Sequence, residues 1–187
     1  MSLDINGTTI QNSNSALSIT TNSVTGFNIN SSNFPVLSTR PSFSAQGTAS
    51  TVTMPNGTWS TIIFNYANGN IGSCYNTANG LFSAPISGIY YFEAHIYGSK
   101  GDSVPTSYTH PVFLINGSYN YRQAQQPSHP AYRLRSRTVY SATYSWDTII
   151  NDVFYLAAGD TVQYYVYNSA GAVYYPSYSI FSGFLVG

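Results

Sequence analysis

The chain has 187 residues, a length that accommodates one domain and a short extension. Hydrophobic residues make up 43% of it, charged residues only 6%, and the formal net charge is zero; soluble domains average about 25% charged residues. A general nucleic-acid binder needs a basic surplus, so the composition argues against that class. The low charge predicts either a surface partly buried in an oligomer or solubility that rests on Ser, Thr, Asn and Tyr side chains.

Cys74 is the only cysteine, which excludes an internal disulfide and a cysteine-based zinc site. No apolar run approaches the roughly 20 residues that a membrane-spanning helix needs. Residues 1–4 show neither the basic nor the apolar region of a signal peptide. We therefore expect no membrane insertion.

Residues 1–39 differ in composition from the rest of the chain. They are rich in Asn, Ser and Thr, with isolated Ile, Leu and Val residues that alternate with period two over short segments, and this pattern predicts strands. The segment has too few apolar residues to bury a core alone, whereas three copies wound together would share a narrow one. We predict a β-rich trimeric stalk over 1–39, with a disordered linker as the alternative.

From Arg40 onward, strand signals alternate with turn signals. Over 89–96, alternation places four apolar side chains on one strand face and Glu93 and His95 on the other. No stretch shows a helical period, and eight to ten short strands indicate a sandwich or jelly roll. Further strands are predicted over 59–64, 112–115, 138–145, 153–156, 162–167 and 179–186. Turns are predicted at Asn68-Gly69, Asn79-Gly80, Asn116-Gly117 and Gly159-Asp160.

Three stretches carry a more specific signal. They read Y-N-T-A-N-G-L-F-S-A-P-I-S-G-I-Y-Y-F over 75–92, L-A-A-G-D-T-V over 156–162 and F-S-G-F-L over 181–185. In order and spacing they resemble the globular head of complement subcomponent one-q, a relative of the tumour necrosis factor fold. The resemblance covers 40–187 and implies an all-β, ten-stranded jelly-roll sandwich that forms a homotrimer and binds through its outer loops.

Aromatic residues divide into predicted core and predicted interface positions. In related trimers, aromatic side chains meet near the threefold axis, and the resemblance makes three tyrosines the candidates for that position, Tyr164, Tyr165 and Tyr167. The residues spaced to enter the core are Phe82, Tyr90, Phe92, Phe181 and Phe184.

Catalytic chemistry is poorly supported, because the chain has only six carboxylates. Asp147 and Asp152 are the pair to consider, since two glycosidase carboxylates must face one bond, but we expect both to be turn residues. The chain has three histidines, His95, His110 and His129, and none of them belongs to a His-x-His pair. His95 is expected to face solvent or an interface. We expect no enzyme activity, and we assign no metal and no cofactor.

An arginine cluster is the most unusual local feature. Four of the six cations lie within sixteen residues, among many aromatic side chains. Arginine offers a planar fork to carboxylates and phosphates, and aromatic rings stack on sugars. The alternative is that these arginines pair with Glu93, Asp147 or Asp152 across subunits. The predicted ligand-binding residues are Arg122, Tyr132, Arg133, Arg135, Arg137 and Trp146.

The N-terminal segment lacks the Gly-X-Y collagen repeat of the animal family. A β-rich stalk before a trimeric tip resembles a bacteriophage tail fibre. We predict the receptor-binding head of such a fibre, located in the virion and attached to a host cell-surface polysaccharide or protein. The alternatives are a structural trimerisation cap and a secreted or cell-surface complement-like lectin; sparse carboxylates disfavour a polysaccharide depolymerase.

Overall fold

The chain divides into two compact units, Met1–Arg40 and Pro41–Gly187, seen in a computed structural model. The structure describes the backbone of the whole chain except residues 1, 6–7, 14–15, 22–23, 30–34, 37–38, 50, 101–107, 119–137, 140–144 and 170–171. Side chains are described from Thr39 onward, with further exceptions at 100, 108, 138–139, 145–146 and 172.

The first unit contains one antiparallel sheet in which each strand pairs with the next along the chain. Its short strands agree with the period-two alternation of polar and apolar residues. The strands are β1 (Ser2–Ile5), β2 (Thr8–Ser13), β3 (Ala16–Thr21), β4 (Val24–Ile29) and β5 (Pro35–Val36).

The second unit is a sandwich of two antiparallel sheets. The seven-stranded sheet has the order β7-β17-β12-β18-β6-β9, with β15 beside β12; the six-stranded sheet has the order β10-β11-β16-β13-β14, with β8 beside β16. The strands are β6 (Ser42–Gln46), β7 (Val52–Met54), β8 (Thr58–Thr61), β9 (Tyr66–Ile71), β10 (Tyr75–Asn76), β11 (Leu81–Ser83), β12 (Gly88–Lys100), β13 (Tyr108–Ile115), β14 (Thr138–Val139), β15 (Ser145–Leu156), β16 (Thr161–Asn168), β17 (Ala172–Tyr174) and β18 (Ile180–Leu185).

The predicted all-β jelly-roll sandwich is confirmed. Within the described part of the chain the only helix is one 3-10 turn at Pro176–Tyr178. None of the described helices has the length and hydropathy to cross a membrane.

The core lies between the two sheets and is strongly aromatic. Strand β12 supplies Tyr90, Phe92, Ala94 and Ile96, all fully buried, as the alternation in the sequence predicts. Phe113 of the opposite sheet lies 6.0 Å from Phe92 between ring centroids. Rings separated by 4.5–7 Å add attraction beyond the area they bury, so the sandwich is held together by ring contacts.

Phe184 is not a core residue, and that prediction was wrong. Phe181 is fully buried, but Phe184 is 43% exposed. Two residues three positions apart in a strand point to opposite sides of the sheet. The inward neighbour of Phe181 is Gly183, whose missing side chain leaves space for the ring of Phe92.

Two of the predicted turn dipeptides have different structures: one forms a hairpin turn and the other lies inside a strand. Asn116 and Gly117 have φ values of 52° and 72°, as in a two-residue hairpin turn. Asn68-Gly69 was predicted as a turn but lies inside β9. There the register with β6 shifts, because Ser44 pairs with Gly69 and Ala45 pairs with Ala67, so Asn68 is the extra residue of a β-bulge.

Candidate functional site

The predicted arginine site lies outside the described residues. This holds for Arg122, Tyr132, Arg133, Arg135 and Arg137, and for the side chain of Trp146, whose backbone belongs to β15. The site therefore stays a prediction, and the surfaces below are built from other residues.

The outward side of the seven-stranded sheet carries large apolar side chains in a position where polar residues are usual. They come from three neighbouring strands, β12, β15 and β18, and each is more than two-fifths exposed. We call this surface the apolar face, formed by Ile89, Ile149, Val153, Tyr155 and Phe184.

The strand register makes the apolar face continuous. Tyr155 pairs with Ile89, and Val153 pairs with Tyr91. On the other side of β12, Tyr91 pairs with Phe184, and their ring centroids are 5.4 Å apart. Cross-strand neighbours lie about 5 Å apart, so these side chains form one patch, and contiguous exposed apolar patches mark interaction surfaces.

Two polar contacts interrupt the apolar face. The hydroxyl of Tyr91 donates to Glu93 Oε2 at 2.8 Å, and this hydrogen bond raises the pKa of Tyr91. His95 Nε2 contacts Asp147 Oδ1 across β12 and β15. The expectation that His95 faces outward from a strand is therefore confirmed. These two contacts give Glu93 and Asp147 partners within their own subunit.

The carboxylates do not form a catalytic pair. Asp147 and Asp152 were predicted as turn residues, but both lie in β15, so that prediction was wrong. Five positions apart in one strand, they point to opposite sides of the sheet and do not face one bond. Among the described residues, no three His, Cys, Asp or Glu side chains are grouped to hold a metal ion.

A second surface lies on the outward side of the six-stranded sheet. The indole of Trp59 is parallel to the Tyr165 ring, with an angle of 2° and centroids 5.6 Å apart. The Tyr167 ring lies 5.4 Å from the same indole and 6.5 Å from the imidazole of His110. We call this surface the aromatic row: Trp59, Tyr165, Tyr167 and His110.

Tyr164 belongs to neither surface, and its predicted place at a threefold axis is wrong. Its side chain is fully buried in its own subunit, 6.2 Å from Phe181 between ring centroids. Burial raises its pKa. Tyr165 and Tyr167 point to the other side of the same strand, where they belong to the aromatic row.

Sequence reasoning missed the apolar face, although a signal was present. V-F-Y-L at 153–156 and I-Y-Y-F at 89–92 are apolar at both odd and even positions. A strand with water on one face alternates, whereas a continuous apolar run indicates cover on both faces.

The comparison with known families agrees with this geometry. The model of the C1q domain matches residues 42–186. The chain belongs to the C1q domain family. Domains of this type commonly trimerise and bind ligands. No curated protein matches the chain in sequence.

Two solved structures illustrate the shared fold. The globular domain of zebrafish complement 1qA is 16% identical with a TM-score of 0.52, covering 79% of this chain and 98% of that one. Murine APRIL at pH 5.0 is 10% identical with a TM-score of 0.53, covering 79% of this chain and 99% of that one. At these identities the likeness is one of fold alone.

Proposed function

We propose that this C1q domain is a trimeric recognition head in which the apolar face packs against two further copies. The observation that carries the proposal is the exposure of Ile149, Val153 and Tyr155 on a sheet whose other side is already buried. Removing apolar area from water contributes about 25 cal/mol per Å², so leaving this face exposed is unfavourable. Membership of a family whose domains commonly trimerise supports the same assembly.

The finer proposal is that the head is the receptor-binding tip of a phage tail fibre, attached to a host cell-surface polysaccharide or protein. The Asn/Ser/Thr-rich strands that precede the head support a fibre, since they replace the collagen repeat of the animal family. A recognition role without enzyme activity is part of the proposal. The separation of Asp147 from Asp152 supports it.

Sedimentation equilibrium tests the assembly. We expect a mass of three times 20.4 kDa for the full chain, and a monomer for Tyr155→Asp, because a charge buried at an interface is costly. Tyr155 is 62% exposed in the single chain, so the variant should fold. Ile63→Asp is the matched control, because Ile63 is also exposed but follows β8 of the other sheet. A monomeric parent, or dissociation of both variants, would contradict the proposal.

Adsorption to host cells tests recognition. The parent trimer should bind and the Tyr155→Asp monomer should bind far more weakly, because three linked sites gain effective concentration. The predicted arginine site is tested in the same assay with Arg133→Ala and Arg135→Ala combined. Loss of adsorption by an intact trimer would support those arginines as contacts. Loss of the trimer would instead assign them to subunit pairing, and a parent trimer that adsorbs nowhere would favour a structural cap.

A further inference from the structure

The six-stranded sheet differs from the rest of the head in charge. Its strands read TWST, YN, LFS, YTHPVFLI, TV and TVQYYVYN, with no Asp, Glu, Lys or Arg among them. His110 is the only histidine in these strands. The strands themselves therefore offer a partner rings, hydroxyls and amides and no formal charge.

The aromatic row brings together one exposed ring, Trp59, and three half-buried rings, Tyr165, Tyr167 and His110. Trp59, which is 37% exposed, pairs with Tyr167 in the register of β8 and β16. Tyr167 pairs in turn with His110 of β13. Three adjacent strands thus present their rings in line across the sheet, held by backbone pairing that does not depend on a loop.

We propose that the aromatic row is a binding site for a neutral sugar ring of a polysaccharide. One side of a hexose is a surface of C–H groups, which packs on the electron-rich face of an aromatic ring. The same residues carry polar groups, namely the tyrosine hydroxyls, the indole N–H of Trp59 and the imidazole of His110. Aromatic surfaces with a few placed polar groups are typical of ligand sites.

The absence of charge on these strands selects the ligand class. A nucleic acid or acidic polysaccharide needs cations to replace its counterions, and the strands of this sheet supply none. A neutral polysaccharide has no such requirement, and its binding to this row is insensitive to salt. This distinguishes the row from the predicted arginine site, where an anionic ligand would be released by salt.

The proposal deepens the recognition function proposed above and rests on it, but it does not need the trimer. The apolar face lies on the other sheet, so assembly through that face does not use the aromatic row. A trimer then carries three copies of the row. Three weak contacts to a repeating polymer combine into a stronger one.

Affinity electrophoresis tests the site. The full chain is run in gels that contain dextran, mannan or galactan, and in gels that contain polygalacturonate as the anionic counterpart. We expect retardation by at least one neutral polymer, unchanged at about 0.5 M salt. Trp59→Ala and Tyr165→Ala should each weaken it about tenfold or more, a difference of about 1.4 kcal/mol. Tyr178→Ala, which removes an exposed aromatic side chain outside the row, should bind like the parent.

A second readout uses tryptophan fluorescence. The chain has two tryptophans, so Trp146→Phe leaves Trp59 as the only reporter. Its emission should shift to shorter wavelength as a sugar ring excludes water from the indole.

Four outcomes overturn the proposal: no binding to any neutral polymer, binding only to polygalacturonate, binding abolished by salt, or full binding by both row variants. Sedimentation and melting of each variant are measured first. If Trp59→Ala fails to fold, Tyr165→Ala and the fluorescence shift decide. A monomeric parent that still binds through the row contradicts the assembly and leaves the sugar site standing.

Discussion

Three buried tyrosines differ in what their hydroxyls contact. Tyr75 donates to the carbonyl oxygen of Phe64 at 3.1 Å, and Tyr90 donates to that of Ile86 at 2.8 Å. The hydroxyl of Tyr164 has no hydrogen-bond partner in the described part of the chain. A buried polar group without a partner costs about 1–3 kcal/mol, whereas a satisfied one contributes about 1 kcal/mol.

We therefore expect opposite effects from two identical substitutions. Tyr164→Phe should keep or raise the free energy of unfolding, because it removes an unsatisfied hydroxyl and keeps the ring. Tyr75→Phe should lower it by about 1 kcal/mol, because the Phe64 carbonyl loses its donor. Urea unfolding of both variants measures the difference. Destabilisation by Tyr164→Phe equal to that of Tyr75→Phe would show that the Tyr164 hydroxyl has a partner.

Buried acids make the head sensitive to alkali. Burial raises the pKa of the Cys74 thiol from 9.0 to about 11 and that of Tyr174 from 10.0 to about 12. A group whose pKa is higher in the folded state binds its proton more tightly there. Its contribution to stability is full below the unfolded pKa and is lost as pH rises through the folded pKa.

Stability should accordingly decline above about pH 9, first through Cys74 and then, above pH 10, through Tyr174 and the other buried tyrosines whose pKa is raised. In Cys74→Ala, the slope of unfolding free energy against pH should be shallower between pH 9 and 11. Unfolding by urea over this range gives that slope. Equal slopes in parent and variant would mean that the thiol titrates normally in the folded chain.

Single residues were predictable where alternation alone decides their side of the sheet. Tyr90 and Phe92 follow the pattern of β12 and are buried. Phe184 was predicted to enter the core together with Phe181. The two residues are three positions apart, so their side chains point to opposite sides of the strand. Asp147 was expected in a turn because acidic residues are rare in strands, but His95 on the neighbouring strand provides a partner that the sequence does not reveal.

At the scale of elements, β18 depends on a residue with no side chain. A Cβ added to Gly183 would lie 2.5 Å from Cδ1 of Phe92 and 2.9 Å from Cε1 of Phe43. Gly183 is therefore the point where two core rings approach the backbone of the strand.

We expect Gly183→Ala to destabilise the head by about 1–3 kcal/mol, because overpacking displaces both rings. Gly69→Ala in β9 is the matched control, since nothing lies within 4 Å of its Cβ position, and its effect should stay within about 0.5 kcal/mol. Thermal melting compares the two. A melting temperature of Gly183→Ala equal to that of Gly69→Ala would show that Phe92 moves without cost.

Elements were predictable to different degrees. The long strands β12 and β16 were found because alternating runs are local features. The bulge in β9 was predicted to be a turn, because Asn-Gly is a favoured dipeptide of two-residue hairpin turns. Only the pairing with β6, a distant segment, decides between a turn and a bulge.

Among the side chains that the structure describes, the buried apolar core belongs to the second unit and runs in sequence from Phe43 to Phe181. We expect residues 41–187 alone to unfold cooperatively at the melting temperature of the full chain. Calorimetry of the truncated and full chains makes the comparison. A head that fails to fold without residues 1–40 would show that the first unit contributes to its stability.

The candidate surfaces were less predictable than the fold. Apolar runs in the sequence indicate that a strand is covered on both sides, but which residues share one face is decided only by strand pairing, because Ile89, Val153 and Phe184 are far apart in sequence. The aromatic row likewise joins three strands. The arginine cluster, by contrast, lies within sixteen residues of sequence, so it can be recognised without the fold.

The bulge in β9 has a consequence for crowded assemblies. β9 ends the seven-stranded sheet, and exposed strand edges are templates on which foreign strands add and aggregation begins. Asn68 breaks the regular spacing of backbone donors and acceptors along this edge. A regular strand added to this edge would lose its hydrogen-bonding register at that position, so the bulge disfavours joining of neighbouring heads edge to edge.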